Sequence, residues 1–364
     1  MKLAIVRQKY TPFGGAERFV ARALDALRAQ GVDVEVVARE WAGDASGVRC
    51  DPFYLGRTWR DMGFARCVRR VIATGRYDLV QSHERIPGCH VFRAGDGVHA
   101  TWLELARKPF AWLSPWHRYT LAAETAMFCH PNLKAVICNS RMVKDDIARR
   151  FGVAGDKLHV IHNGVDLAYF HPGLREEFRV ATREKVGAGG TAPVILFVGS
   201  GYARKGVATL FEALACMTTR DAEVWIVGRD RHAARYRALA KRLGVAARVR
   251  FLGGQEDVRP FYAAADVFCL PTIYDPMPNA ALEALACGLP VATTPNSGAA
   301  ELIRAGENGQ VCDAHDATEL AIHLDALCAP GVAAAMRDAA RAAVAALGAD
   351  DMAARLTALY CRLI

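Results

Sequence analysis

The eleven cysteines never fall in C-x-x-C spacing, and their number is odd. Both features argue against a disulfide framework and against a zinc site. They leave most of the cysteines as small buried apolar side chains. Long apolar runs are missing too. The run near the start, Leu3 to Val6, has four residues. That is too short for a signal-peptide core, and no later stretch reaches membrane-spanning length. A cytoplasmic protein is therefore expected, peripheral on the inner face of the membrane if it meets one. Low-complexity segments and short repeats are absent as well. Hydrophobic residues make up 52% and charged residues 23% of 364 positions. Such a chain is not disordered and has the length for two domains with real cores.

What is present begins with charge. The formal net charge is +8. A basic balance suits an anionic partner, whether nucleotide diphosphate, phosphorylated lipid or nucleic acid, and a solvated basic face accounts for it equally well. Recognition-module signatures such as an aromatic RNP stretch or zinc-finger spacing are lacking. A basic nucleic-acid-binding protein is thus the outside reading, and no nucleic-acid partner is expected.

Short β-rich runs alternate with longer helix-period segments, the signature of α/β units around a parallel sheet. Strands are expected at Leu3–Arg7, Asp33–Ala38, Asp78–Ser82, His90–Arg93, Lys134–Cys138 and Leu158–His162. A helix is expected at Ala16–Gln30, with Phe19, Ala23, Leu24 and Leu27 on one face. The pattern pauses at Asn163–Ala192, where glycines and prolines surround a charged segment. It restarts with strands at Pro193–Gly199, Glu223–Gly228, Val249–Leu252, Asp266–Leu270, Leu289–Thr293 and Gln310–Cys312. Two β-loop-α openings imply two Rossmann-like, doubly wound α/β domains facing across a cleft. Their expected extents are 1–168 and 169–345, with a terminal helix, 346–364, packing back on the first domain.

Two loops fit a phosphate. Gly14 and Gly15 lie between a strand and a helix, where backbone N–H groups approach a ligand closely. A tight turn that needs glycine explains them as well. The second loop runs Gly199-Ser200-Gly201-Tyr202-Ala203-Arg204-Lys205-Gly206. Its two cations precede a helix N-terminus and oppose the helix dipole, so an anionic ligand gives a reason that the fold does not. The loop misses the dinucleotide fingerprint and the P-loop. A redox dehydrogenase loses weight accordingly.

The most informative stretch is Pro271 to Val291. A strand ends near Leu270, a proline-punctuated loop follows, and a helix starts at Pro278 or Asn279. Asp275 sits on the loop and Glu283 about a turn inside the helix. Carboxylates accept hydrogen bonds from sugar hydroxyls, and the helix start with Met277, Pro278 and Asn279 suits a diphosphate. This pattern resembles the C-terminal signature of glycosyltransferase family 4, whose usual form has Glu at both acidic positions. The resemblance implies that Asp275, one methylene shorter, meets the donor sugar, and that Glu283 meets the ribose. His162-Asn163-Gly164-Val165-Asp166 resembles the family's interdomain hallmark, Arg204 and Lys205 its diphosphate grip, and Gly15 its N-terminal glycine loop.

A narrower resemblance covers nearly the whole chain. Lys9 to Gly15, Val198-Gly199-Ser200 with Arg204 to Val207, and Ile86-Pro87-Gly88 with Ala94-Gly95-Asp96 are similar to stretches of the bacterial lipopolysaccharide core glucosyltransferases. That implies a GT-B fold and transfer of glucose from UDP-glucose to an inner-core heptose. Retention of configuration without a metal or cofactor is the mechanistic expectation. It also implies that Asp96 positions or activates the acceptor hydroxyl; a turn aspartate is the plain alternative, since Gly95-Asp96-Gly97 is an ordinary turn sequence. His83 and His99 are weaker candidates. Trp102, Phe110, Trp112, Trp116 and Phe128 interleave with Arg107, Lys108, His117 and Arg118. Such a stretch suits either a core stripe or the edge of an anionic membrane. Another UDP-hexose, GDP-mannose, a soluble acceptor and a nucleotide-sugar epimerase stay open as alternatives.

Overall fold

The computed structural model describes residues 1–10, 28, 31–41, 47–188 and 190–364. Gly14, Gly15 and nearly all of the helix expected at Ala16–Gln30 lie outside the described residues. The chain divides into two compact units. Unit 1 comprises residues 1–164 and 349–364, and unit 2 comprises residues 165–348.

Unit 1 contains strands β1 (Lys2–Tyr10), β2 (Asp33–Trp41), β3 (Gly47–Arg49), β4 (Leu79–Ser82), β5 (Val91–Ala94), β6 (Ala135–Cys138) and β7 (Leu158–Val160). They form one sheet in the order β3-β2-β1-β4-β5-β6-β7, and neighbouring strands are parallel. Between them run helices α1 (Gly56–Ala73), α2 (His99–Leu105), α3 (Pro115–Phe128) and α4 (Arg141–Phe151). Ser114 and Ser140 accept from backbone amides at the starts of α3 and α4. These are the caps expected of serine at that position.

Unit 2 opens with α5 (Leu174–Val186) and continues through β8 (Val194–Val198), α6 (Val207–Cys216), β9 (Glu223–Val227), α7 (Ala233–Arg242), β10 (Val249–Gly253), α8 (Arg259–Ala264), β11 (Val267–Cys269), α9 (Asn279–Ala286), β12 (Val291–Thr293) and β13 (Gly309–Val311). Helices α10 (Ala317–Cys328), α11 (Val332–Ala335) and α12 (Arg337–Ala342) complete it. Its sheet order is β10-β9-β8-β11-β12-β13, again parallel. In both units the order reverses beside the first strand, at β1/β4 and at β8/β11. Ligands of doubly wound sheets bind outside the carboxyl ends of the strands at such a switch point.

The chain then returns to unit 1 as α13 (Ala349–Leu363). Period-two alternation along β1 explains why this helix belongs there. Leu3 and Ile5 face one side and cluster with Met352, Leu356, Leu359 and Tyr360 of α13. Ala4 and Val6 face the other and cluster with Phe64, Ala65 and Val68 of α1. Each such buried side chain contributes roughly 2 kcal/mol, so α13 covers a sheet face that would otherwise be wet.

Every strand expected from the sequence is present, and β3 is an addition of three residues. One expectation is corrected. Cys50 and Cys67 form a disulfide, with Cα atoms 5.7 Å apart. Spacing rules read neighbours in sequence, whereas this pair is made by packing α1 against the chain leaving β3. The other nine cysteines are free, and six of those are buried, as small apolar residues should be.

Candidate active site

The site in unit 2 starts where β8 ends. Gly199 has φ +153°, and a Cβ there would lie 2.9–3.0 Å from Cδ, Cε and Nζ of Lys205. The missing side chain lets Lys205 lie across the strand end. The Lys205 and Arg204 amides both donate to the Gly201 carbonyl, at 3.1 and 3.0 Å, which closes the loop. Gly206 (φ +75°) then approaches Pro271 so closely that a Cβ would fall 1.8 Å from its carbonyl oxygen. The loop after β8 is thereby clamped onto the chain leaving β11.

That clamp is also polar. The Arg204 carbonyl accepts from the Ile273 amide at 2.8 Å and from Thr272 Oγ1 at 3.1 Å. Arg204 Nη1 donates to the Tyr274 carbonyl (2.8 Å) and to Asp275 Oδ2 (3.0 Å). Lys205 Nζ lies 3.5 Å from the same oxygen. Asp275 is fixed through its backbone, donating to Asn296 and accepting from Gly298. Beside it the Ser297 hydroxyl is buried without a partner. Burial pulls the Lys205 ammonium below the ordinary lysine value, Asp275 opposes that, Arg204 adds to it, and Glu283 supports the charge. Two cations and two carboxylates therefore share one electrostatic environment.

Glu283 is set by α9 and by a residue that the sequence did not single out. Tyr262, buried on α8, donates to Glu283 Oε2 at 2.8 Å, with the Ala280 carbonyl as a second acceptor at 3.1 Å. Burial, and next Glu283, push the Tyr262 hydroxyl well above the ordinary tyrosine value, so it stays a donor. Pro278 stands at the N-cap, and no acidic residue occupies the first turn. The positive end of the helix is left for a ligand anion or the flanking carboxylates. Met277 is buried and Asn279 half-buried at this helix start. On the neighbouring strand end, Asp230 Oδ2 accepts from the Tyr202 amide at 2.8 Å, bracing the cation loop from behind. Tyr262 and Asp230 were missed because their partners lie on distant segments of the chain, and Ser297 because only the fold brings it beside Asp275.

Unit 1 holds the remaining candidates. After β5 the Gly95-Asp96-Gly97 turn is closed by the Gly97 amide on the Ala94 carbonyl (3.1 Å), and Asp96 is exposed. Arg85 supports the turn from below, donating to the Gly97 carbonyl (2.9 Å) and to Glu124 (2.8 Å). Buried Glu124 also accepts from the amides of His99 and Ala100, so a carboxylate from α3 caps α2. Glu84 accepts from the Gln8 amide at 3.1 Å. Burial raises its carboxyl, the Gln8 amide opposes the rise, and Asp96 adds to it. Asp61 accepts from Trp116 Nε1 at 2.7 Å and from Gln8 Nε2 at 2.9 Å. Glu84 and Asp61 thus join Asp96. Glu84 had a sequence signal, since it lies just beyond a central strand.

The two histidines are neutral at neutral pH. His99 Nε2 and His117 Nδ1 are 3.0 Å apart. Burial first, then Arg85, His117 and Arg57, push His99 down to about 3. Burial, Arg7 and Arg93 push His83 well below its ordinary value. Among the described residues no group of three or more His, Cys, Asp or Glu side chains is placed to hold a metal ion.

The chain also resembles proteins of known family. The profile described as Glycosyltransferase Family 4 matches residues 13–169, and that described as Glycosyl transferases group 1 matches residues 192–329. The chain is similar to the lipopolysaccharide glucosyltransferase WaaG of Escherichia coli (strain K12), 28% identical over 323 residues, which is 85% of each chain. A crystal structure of WaaG superposes with a TM-score of 0.84 at 24% identity, covering 98% of this chain and 99% of that one. The lipopolysaccharide core biosynthesis glycosyltransferase LpsE of Rhizobium meliloti (strain 1021) is 40% identical over 135 residues, 37% of this chain and 39% of LpsE. Anabaena HepE, solved in complex with UDP-glucose, has a TM-score of 0.76 at 20% identity and full coverage of both chains. With the residue patterns, two matched domains and a shared GT-B fold, the chain belongs to glycosyltransferase family 4 and is a hexosyltransferase that resembles the bacterial lipopolysaccharide core glucosyltransferases.

Proposed function

We propose that the chain transfers glucose from UDP-glucose to an inner-core heptose of lipopolysaccharide or a similar envelope glycolipid, with retention and without a metal or cofactor. The observation that carries this reading is the shared environment of Arg204, Lys205, Asp275 and Glu283 at the carboxyl ends of β8 and β11. A donor diphosphate would take Arg204 and Lys205 from Asp275, leaving the aspartate to accept from sugar hydroxyls. Negative charge that grows on the leaving diphosphate is stabilised by the same two cations and by the α9 terminus. The acceptor oxygen bonds to the anomeric carbon on the face the diphosphate leaves as the carbon–diphosphate bond breaks, and the acceptor proton passes to the departing diphosphate. Asp96 holds the acceptor hydroxyl. The lipopolysaccharide relatives support the acceptor, and the HepE complex supports the donor.

The acceptor class implies a membrane edge. No helix among the described residues is long and apolar enough to cross a membrane. Phe110, Trp112 and Leu113 are exposed, beside Arg107 and Lys108. Arg57 stacks on the Trp116 ring at 3.9 Å, and its neighbours Leu55 and Trp59 are exposed as well. Phe128, by contrast, is core, edge-on to Phe92 and stacked on Phe151. Docking by the exposed half, from the cytoplasmic side, is part of the proposal. Sedimentation with anionic liposomes that weakens with salt checks it.

The deciding experiment is a thermal-shift panel of nucleotide sugars in chelator, on the intact protein and on Glu283→Ala. Stabilisation by UDP-glucose, lost in the variant, is expected. Stabilisation by GDP-mannose or another UDP-hexose alone overturns the donor assignment.

A further inference from the structure

Unit 2 contains a cavity of about 230 Å³ that the transfer reaction as described does not use. It lies between the start of α5, the α8 helix, the chain joining α9 to β12, and the first turn of α12. All of its walls belong to residues 165–348. One water molecule takes up about 30 Å³ of the liquid, so the space suits a small organic molecule better than a lone ion.

The lining is of two kinds. Leu174, Ala263 and Leu289 are buried apolar side chains, and buried Tyr262 lies beside them. Such a wall gains by excluding water. The polar groups are two guanidiniums, Arg175 and Arg337, one imidazole, His171, and one exposed carboxylate, Glu176.

The two guanidiniums differ in what holds them. Arg175 donates to the Ala265 carbonyl at 2.9 Å and to Asp266 Oδ1 at 3.1 Å. Asp266 is shared, since Arg179 and Arg183 also pair with it, at 2.8 and 2.6 Å. One carboxylate thus serves three arginines on one face of α5. Arg337 is half-buried and has neither a hydrogen bond nor an ion pair among the described residues. Burial first, then Arg179 and Arg337, lower Arg175 to about 10, and Asp266 opposes them. The cavity therefore joins an apolar wall to a positive end. Guanidiniums match carboxylate or phosphate oxygens with paired donors.

The same walls lead to the donor side. Tyr262 carries the hydroxyl that donates to Glu283 Oε2 at 2.8 Å. Cys287 also lines the cavity, and its amide donates to the Glu283 carbonyl at 3.0 Å. Burial first, and then Glu283, push the Cys287 thiol above its ordinary value. A molecule in the cavity rests against the residue that holds the Glu283 carboxylate and against the end of the helix that carries it.

We propose that this cavity is a second ligand site, taking a small organic anion with an apolar body, and that its occupancy strengthens donor binding by fixing Tyr262 against Glu283. Ordering that wall in advance lowers what the donor must order on arrival. The site rests on the cavity and its charges; only the coupling rests on the transferase reading, in which Glu283 meets the donor ribose.

The probe is phenyl phosphate, with phenol and inorganic phosphate as its two halves. Phenyl phosphate is expected to raise the Tm of the intact protein more than either half at the same concentration. No rise overturns the site. An equal rise with inorganic phosphate means an anion held elsewhere, and an equal rise with phenol removes the arginines from the binding; either result overturns the site. The rise should be lost in Arg337→Gln and kept in Arg337→Lys. An equal rise in the parent and Arg337→Gln also overturns it. Without the probe Arg337→Gln should melt with the parent, since no partner is lost. Should it melt lower, the comparison of the probe with its halves on the intact protein still decides. For the coupling, saturating phenyl phosphate should lower the Kd of UDP-glucose about fivefold in the parent and not in Tyr262→Phe. An unchanged Kd in the parent, or an equal fall in Tyr262→Phe, overturns the regulation, and a raised Kd means that the probe competes in the donor site and overturns both. The Tm arms need no donor, so a protein that fails to bind UDP-glucose ends the transferase reading without deciding the cavity.

Discussion

The two units share a sheet order and a switch point but handle charge there in opposite ways. In unit 2 the cations Arg204 and Lys205 already have a counter-ion in Asp275, delivered by a loop from the adjacent strand. In unit 1 burial, and after it Arg7 and Arg93, push His83 well below its ordinary value, while the carboxylates Asp96 and Asp61 act on Glu84 as like charges. A paired site is preorganised and exchanges one partner for another when a ligand arrives.

Lys205→Ala puts the greatest strain on this comparison. Loss of a preorganised cation on the leaving group should lower kcat by about a hundredfold to a thousandfold, with an unchanged circular dichroism spectrum. Near-normal turnover would remove Lys205 from the phosphate grip. The disulfide is next, and it separates the units by stability instead of rate. A bond closing a loop between residues 17 apart stabilises by about 3 kcal/mol. Cys67→Ser should therefore lower the melting of unit 1 while leaving UDP-glucose stabilisation of unit 2 in place. A melting curve indistinguishable from the parent would show that the bond does not form in solution.

Asp96→Ala tests whether unit 1 does chemistry or only holds the acceptor. If Asp96 orients or deprotonates the acceptor hydroxyl, kcat/KM for acceptor should fall by about a hundredfold with donor binding unchanged. Full activity returns Asp96 to the role of a turn residue. The smallest effect is expected from His99. Its folded value of about 3 lies below the roughly 6.5 of an unfolded histidine, so the unfolded chain takes the proton first. The stability that His99 contributes is complete above the unfolded value and is lost as pH falls from there toward 3. His99→Phe should flatten the dependence of Tm on pH in that window. An identical acid branch would mean that His99 is not held neutral.

Much of this was legible in the order of residues because it is local. Period-two and helix-period patterns fixed the strands and the doubly wound class. Gly199, Gly201 and Gly206 with Arg204 and Lys205 marked one loop, and Asp275 and Glu283 bracketed one helix start. What could not be read was whatever joins distant segments. Nothing in the sequence sets Tyr262 against Glu283, Glu124 at the start of α2, or Cys50 beside Cys67. The aromatic stretch 101–128 illustrates the limit: composition alone favoured a core stripe, the family resemblance brought the membrane edge level with it, and burial divided it, with Phe128 inside and Trp112 out.

The sequence by itself determined the fold class and the two charged loops after β8 and β11, because periodicity, glycine conformations and capping act within a few residues of chain. Only the tertiary structure decided which charges have partners. Arg204 meets Asp275 through loop packing, and Arg7, His83 and Arg93 line up through strand register, and Coulomb interactions depend on those distances in space rather than on position along the chain.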